Sequence, residues 1–474
     1  MSVVSPVPSV PLSPGPSPSP GREIARIAVP VSLEFVFTLV LNFVNQVVVG
    51  ALGATAIAAV GFANSLVFIP VFTLGALGAS VSILVARAYG AGRRGDMNTT
   101  VTAALVLAGT LTLAVSLPMA LYAPHLLRLT GASAGVAAAG SAYLQLSALA
   151  LLPTILGMVL SGVMRSLGHA RSPMVATFIT VILNALLAYL LVFGVGPLPA
   201  LGVAGAGWAT LVTATLKVGI LLAQVYGPRP LAGWAWPQGQ SGRLAGWRSV
   251  AAPLLVLAVP LGITEMAWSG GTFLYNVVFQ KLGDGALAAA QIVNTLESIF
   301  IVGSLGLMSA TTALVGRSLG RGDAPGAVAW IRRLLAVGLR TGAAFGLLFA
   351  LSALLLGLLF REAGAEVRSM AALGILINSA FQIVKVRNMI VGAGILPSGN
   401  DTGGVILGDV VSAFLVGLPL AVLLGLYTPL GVTGVFLARV TEESVKMGIF
   451  AWRAGRLKWE RLAAEQGGAQ KAAA

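Results

Sequence analysis

The chain says the same thing twice. Ala28, Val29 and Pro30 return 230 residues later as Ala258, Val259 and Pro260. The same displacement carries Leu52 and Gly53 onto Leu282 and Gly283, Asn64 onto Asn294, and Arg87 and Gly90 onto Arg317 and Gly320. Near the end, Leu201, Gly202 and Val203 return as Leu430, Gly431 and Val432, and Lys217 falls on Lys446, at a displacement of 229. A unit of roughly 220 residues has been duplicated. Both copies are strongly apolar: hydrophobic residues make up 57% of the chain and charged residues 9%, against about 25% charged in a soluble protein. Mean hydropathy is +0.93. Lipid therefore covers most of the surface. Of the few architectures that satisfy both conditions, a transporter built from two pseudo-symmetric membrane bundles leads.

The apolar runs are continuous, which excludes the alternation of barrel strands. A helix needs about 20 apolar residues to cross the hydrocarbon. Twelve such spans can be read, at 24–52, 54–89, 98–122, 136–166, 171–196, 203–226, 250–281, 285–318, 326–358, 366–394, 402–426 and 430–453. Lys and Arg concentrate in alternate loops, at Arg22, Arg26, Arg93, Arg94, Arg165, Arg171, Arg229, Arg243, Arg248, Arg321, Arg332, Arg333, Arg453 and Arg456. That pattern places both termini in the cytoplasm. The loop with Arg361 and Arg368 is the exception. The expected fold is all-α, with twelve transmembrane helices in two six-helix lobes, 22–226 and 250–456. Residues 1–21, rich in Pro and Ser, read as a disordered cytoplasmic tail. Residues 227–249, with Trp234, Trp236 and Trp247, read as a cytoplasmic linker at headgroup level, and 457–474 as a second tail.

Net charge is +14, from 29 Lys and Arg against 15 Asp and Glu. The basic residues lie in short loops between spans, so they report topology and not nucleic-acid binding. Cysteine is absent and only His125 and His169 occur. Disulfides, thiolate metal sites and histidine metal sites are thereby set aside. No phosphate-cradling GxxxxGK[ST] loop is present, so nucleotide hydrolysis by this chain is not indicated.

Several stretches taken together, in order and in both halves, carry a family resemblance. In the first half they are NQVVVGALGATAIAAVGFANS after Pro30, ARAYGAGRRGD at 86–96, GVMRSLGHARSPM at 162–174 and GVAGAGWAT at 202–210. In the second they are KLGDGALAAAQI at 281–292, GRSLGRGD at 316–323 and SGNDT at 398–402. On these the chain resembles the multidrug and toxic compound extrusion (MATE) transporters of the MOP flippase superfamily. The resemblance implies a V of two lobes around a central cavity. It implies export of cationic or amphipathic compounds in exchange for H⁺ or Na⁺, by rocking between inward and outward states. The chain departs from the family pattern in the first lobe. The coupling acid that follows the span-one proline is replaced by Asn45. A second acid, four residues after an asparagine matched by Asn184, is replaced by Ala188.

Ionisable groups in mid-bilayer are costly and so are functional candidates. Most fall in the second half: Glu265, Glu297, Arg340, Lys385, Arg387, Asp409, Arg439, Glu442, Glu443 and Lys446, against Glu34 and Lys217 in the first. Glu265, Asp409 and Glu34 are the candidate ion-coupling acids. Depth counting at 1.5 Å per residue pairs Arg387 with Asp409, Lys446 with Glu265 and Lys217 with Glu34. Each pair has a second reading as a static buried ion pair. Candidate cavity residues are Asn45, Asn64, Asn184, Asn294 and Gln291, with Trp268, Phe273, Tyr275 and Met266 as an aromatic and thioether wall. No cofactor is expected beyond the coupling ion, and no metal beyond Na⁺ at Glu265 or Asp409. The expected partners are a lipophilic or cationic small molecule and the bilayer of a bacterial inner membrane, with the protein a monomer. The competing readings are a lipid-linked oligosaccharide flippase, a membrane-embedded lipid transferase and a passive channel. The flippase needs an arginine-rich cavity, the transferase a catalytic loop and the channel a filter loop, and none is evident.

Overall fold

The computed structural model describes residues 19–129, 133–195, 199–237 and 243–467, and every regular element among them is helical. In lipid this follows from the backbone, because a helix satisfies its own polar groups within one segment. The first repeat forms α1 (Pro20–Gly50), α2 (Ala54–Gly90), α3 (Arg94–Leu121), the short α4 (Ala123–Leu129), α5 (Ala134–Ser166), α6 (Arg171–Phe193) and α7 (Val203–Tyr226). The second begins with α8 (Arg243–Lys281), α9 (Asp284–Gly320), α10 (Ala324–Ser352), α11 (Leu356–Leu359) and α12 (Ala365–Ala380). It continues with α13 (Gln382–Ile390), α14 (Leu396–Ser398), α15 (Thr402–Val410), α16 (Leu418–Leu426) and α17 (Gly431–Gly455), and α18 (Trp459–Gly467) follows.

Among the described residues ten helices are long and apolar enough to cross a bilayer, and a bent pair supplies an eleventh span. The twelfth is α17, whose 25 residues suffice in length but include Arg439, Glu442, Glu443 and Lys446. The duplication is visible in the backbone. Gly53 and Gly283, which precede α2 and α9, have φ of 97° and 116°, and Gly202 and Gly431 have φ of 55° and 52°. The small-residue runs at 75–80 and 202–207 let helices touch. A Cβ on Gly78 would lie 2.9 Å from the Met158 carbonyl oxygen, and one on Gly205 2.6 Å from that of Leu191.

The repeats meet reciprocally. Helix α1 packs on α9, where a Cβ on Gly306 would fall 2.1 Å from the Ala28 carbonyl oxygen, and α8 packs on α2. At one end α2 and α9 cross. There a Cβ on Gly90 would lie 2.2 Å from the Arg317 carbonyl oxygen, and one on Gly320 2.0 Å from that of Arg87. A core cluster seals this end, joining Ile24, Ile27 and Val31 of α1 to Leu319, Leu334, Ile390 and Leu396 of the second repeat and to Ala463 of α18. It holds the start of α1 and also α18, so both ends of the described chain lie here.

Three expectations change. Of the tail read at 1–21, residues 1–18 lie outside the described residues, and α1 already begins at Pro20. The linker read at 227–249 is shorter, because α8 starts at Arg243, and 238–242 lie outside the described residues. Aromatic rings run in series from Tyr226 through Trp234 and Trp236 to Trp247, tilted or edge-on to one another at centroid separations of 5.9, 5.7 and 6.1 Å. Within 457–474, residues Trp459–Gly467 form α18, and 468–474 lie outside the described residues. Trp459, Leu462 and Ala463 share one face (i, i+3, i+4) and pack into the terminal core. Nine residues are too few for a span, so a search for spans passes over them.

The second repeat breaks symmetry in its tenth and eleventh spans. Helix α12 meets the segment Gln382–Ser398 at 51°. Wide π turns occupy Val391–Ile395 and Val411–Gly417, a form common at functional positions. Their counterparts α5 and α6 are continuous. The SGNDT stretch has a joining role: Asp401 caps α15 by accepting from the Gly404 amide at 3.0 Å and takes both ends of its carboxylate to the Arg453 guanidinium.

Candidate functional site

The charged stripe of α17 is the start of the site. Arg439, Glu442, Glu443 and Lys446 recur at i, i+3, i+4 and i+7 and share a face. That face meets Trp268, Thr272 and Tyr275 of α8, also at i, i+4 and i+7, around a cavity of about 50 Å³. Such a space holds a few waters. Asp409 of α15 enters from the side, just before the wide turn at 411–417.

Lys446 is the hub. Its Nζ lies 3.3 Å from Asp409 Oδ1, 3.4 Å from Glu443 Oε1 and 3.7 Å from Glu442 Oε1. The Tyr275 hydroxyl donates to Glu442 Oε2 at 2.6 Å. Arg439 donates to Asn294 Oδ1 at 2.7 Å and stands over the Tyr275 ring at 5.6 Å. Asn388 donates to Glu443 Oε2 at 2.8 Å. Glu265 of α8 is half-buried, makes no ion pair among the described residues, and lies near enough to Asp409 for their charges to interact. The cavity lining carries three carboxyls, Asp409, Glu442 and Glu443, against three cations, Lys385, Arg439 and Lys446. Glu265 adjoins Asp409 and Glu297 pairs with Lys385, so together these groups hold five acids and three bases. A surplus of acid in an apolar bundle is a seat for a proton or a small cation.

Two of the three depth-counted pairs are corrected. Asp409 is paired with Lys446, not Arg387, and the Arg387 Nη1 is buried with no hydrogen-bond partner. Lys446 is engaged by Asp409, Glu442 and Glu443, and not by Glu265. Depth along the membrane normal fixes height but not the direction in which a side chain leaves its helix. The third pair forms, with an added partner. Glu34 of α1 takes Lys217 Nζ at 3.2 Å and Arg165 Nη2 at 2.6 Å, and accepts from Ser161 at 3.3 Å. Four helices, α1, α5, α6 and α7, close around it, and it is 4% exposed. Arg165 counted in the sequence only as a loop charge, but it ends one residue short of the α5 C-terminus and turns inward.

A third cluster was present in the sequence as separate charges. Glu297 of α9 accepts from Gln382 at 2.6 Å and pairs with Lys385, which also donates to Asn378 at 2.8 Å. These residues flank the 51° bend at Phe381, where no proline or glycine intervenes, and they hold it from the α9 side.

The polar candidates scatter. Asn294 belongs to the second-repeat network through Arg439. Its repeat counterpart Asn64 accepts from Tyr143 at 3.1 Å. Asn184 is fully buried and donates to Thr213 at 3.0 Å. Asn45 is half-buried with an unpartnered Oδ1, and Gln291 is exposed and donates to Asn276 at 3.3 Å. The proposed wall divides. The buried Tyr275 and the exposed Trp268 line the cavity, whereas Met266 and Phe273 do not. Residues 266 and 273 are seven apart, so they share a different face of α8. Trp268 also reaches the first repeat, at 6.3 Å from Phe72, which stacks on Phe68 at 5.7 Å. No metal-holding group of His, Asp and Glu occurs among the described residues.

A duplicated bundle of membrane-spanning helices, with buried acid–base clusters where helices break, defines a two-lobed membrane transporter. The MatE family model matches residues 30–190 and 260–426, two stretches that begin one repeat apart, and the chain belongs to that family. It is 30% identical over 443 residues to a probable multidrug resistance protein NorM of Bradyrhizobium diazoefficiens, covering 91% of this chain and 92% of that one. It is also 30% identical over 379 residues to the protein of the same name from Rhizobium meliloti, covering 77% and 78%. Among solved structures it resembles a MATE crystal structure in the bent conformation, with a TM-score of 0.85 at 19% identity, covering 94% and 97%. An outward-facing multidrug resistance MATE transporter gives 0.83 at 20% identity, covering 93% and 97%.

Proposed function

We infer that this protein exports cationic or amphipathic small molecules across a bacterial cytoplasmic membrane in exchange for protons. The lobes 22–226 and 250–456 rock about the crossing of α2 and α9, with both termini in the cytoplasm. The observation that supports this reading is the second-repeat cavity beside a broken helix, where the lining and the adjoining Glu265 and Glu297 hold five carboxyls against three cations. A proton on Glu265 or Asp409 and a cationic substrate compete for the same surplus negative charge. Competition for one charge deficit is what turns two binding events into exchange. The Phe68, Phe72 and Trp268 rings, where the repeats adjoin, offer faces to a lipophilic cation. The first repeat contributes no comparable acid. Asn45 and Ala188 carry no titratable group, and Glu34 is enclosed by two cations, so we assign Glu34 to packing. The names of the NorM relatives agree with drug export.

The test is efflux of fluorescent lipophilic cations from proteoliposomes. Glu265→Gln and Asp409→Asn should each abolish gradient-driven export while the helical circular dichroism and melting profile persist. Normal export by both variants would remove the assignment.

A further inference from the structure

We propose that Arg87 and Arg317, related by the repeat, are positioning residues of the transport cycle that clamp the terminus-bearing end shut. This rests on the rocking reading above and names the contacts that rocking must break.

Each arginine reaches out of its own repeat. Arg87, near the end of α2, donates from Nη2 to the Ser398 carbonyl at 2.7 Å and to the Pro397 carbonyl at 3.4 Å. Arg317, near the end of α9, donates from Nε to the Ser166 carbonyl at 2.8 Å and from Nη2 to the Arg165 carbonyl at 3.4 Å. The acceptors correspond as well, since each pair closes a helix, α14 in the second repeat and α5 in the first. Carbonyls in a last turn lack intrahelical donors, and a helix C-terminus attracts a cation. One contact is thus built twice, with the roles of the repeats exchanged.

The chemistry suits a contact that must open. Arg87 is 7% exposed, yet neither arginine forms a salt bridge among the described residues. Arg87 is held by carbonyl dipoles, and Arg317 by carbonyl dipoles and the face of the Tyr89 ring at 5.5 Å. Such a guanidinium gives up less on release than one held by a carboxylate, because water replaces these partners at little loss. The backbone between the two clamps is in direct contact at Gly90 and Gly320. The lobes cannot part at this end without Arg87 leaving Ser398 and Arg317 leaving Ser166.

The chain has no cysteine, so paired spin labels can be placed without background. In nanodiscs, Arg94→Cys with Arg321→Cys reports the clamped end, and Ala51→Cys with Asp284→Cys reports the opposite end. Arg87→Gln and Arg317→Gln should each move population to longer distances at the clamped end and shorter ones at the opposite end. The double variant should move more, and Arg87→Lys less. A general loss of structure would broaden both distributions and would not move them in opposite senses. As a second measurement, Ser398→Cys lies under the Arg87 clamp, and a water-soluble maleimide should label it roughly tenfold faster when Arg87 is Gln, the shift given by losing a charge-assisted hydrogen bond. If Arg87→Gln does not fold, Arg87→Lys is used in both assays with an intermediate response expected. Unchanged distances at both ends, or equal labelling with and without the clamp, would overturn the proposal. Neither measurement uses substrate or gradient, so failed export with responsive clamps would overturn the proposed function alone.

Discussion

Single residues here are legible as chemistry before they are legible as contacts. Glu34 stood out in the sequence as a lone acid in an apolar span, and Lys217 as its partner. Arg165 did not, because its number placed it in a loop. The triad predicts an asymmetry. Glu34→Gln leaves the partly buried Arg165 and Lys217 without a counter-charge and should cost about 3 kcal/mol. Lys217→Met leaves the Arg165–Glu34 pair in place, and Lys217 is partly exposed, so it should cost no more than about 1 kcal/mol. Melting of the purified variants checks this, and equal losses would contradict it. His169, in the loop between α5 and α6, titrates below the ordinary histidine range, first through partial burial and then through Arg26 and Arg317. Its folded pKa is depressed, so the folded protein binds fewer protons there than the unfolded chain. Its contribution to stability is complete above the ordinary value of 6.5 and is lost as the pH falls below it. Arg317→Gln should raise the His169 pKa, as read from imidazole nitrogen shifts of histidine-labelled protein; an unmoved titration would deny the interaction.

At the scale of elements, helices and their ends were readable because apolar length, prolines and charged loops act locally. The small-residue runs at 75–80 and 202–207 act just as locally, since only a missing side chain lets backbones approach. The bend at Phe381 and the wide turns at 391–395 and 411–417 were not readable. No proline or glycine marks the bend, which is held by Glu297 from another helix. The crossing of α2 and α9 gives the prediction at this scale. Gly320→Ala would put a Cβ 2.0 Å from the Arg87 carbonyl oxygen, a backbone atom that cannot rotate away. The terminus-bearing end should be wedged apart and export should stop, while Gly109→Ala, where a Cβ would meet nothing within 4 Å, should be silent. A Gly320→Ala protein with normal label distances and normal export would refute the crossing as the closed contact.

For the whole molecule, exchange for protons predicts export driven by a proton gradient at constant sodium and abolished when that gradient is collapsed. Export that persists would transfer the coupling to Na⁺ at the same carboxyls. The sequence alone determined the membrane environment, the duplication, the helical class and the crowding of charge into the second repeat. Each of these follows from composition or from order along the chain. It also singled out Glu265, Asp409 and Lys446 as residues that lipid would not tolerate without a reason. Only the tertiary structure decided that Asp409 faces Lys446 and not Arg387, that Phe273 turns away from the cavity, and that Arg87 and Arg317 reach into each other's repeat. Spacing along a helix sets depth and relative face. Which neighbour that face meets depends on how twelve helices rotate and cross, and the packing of every other side chain sets those rotations.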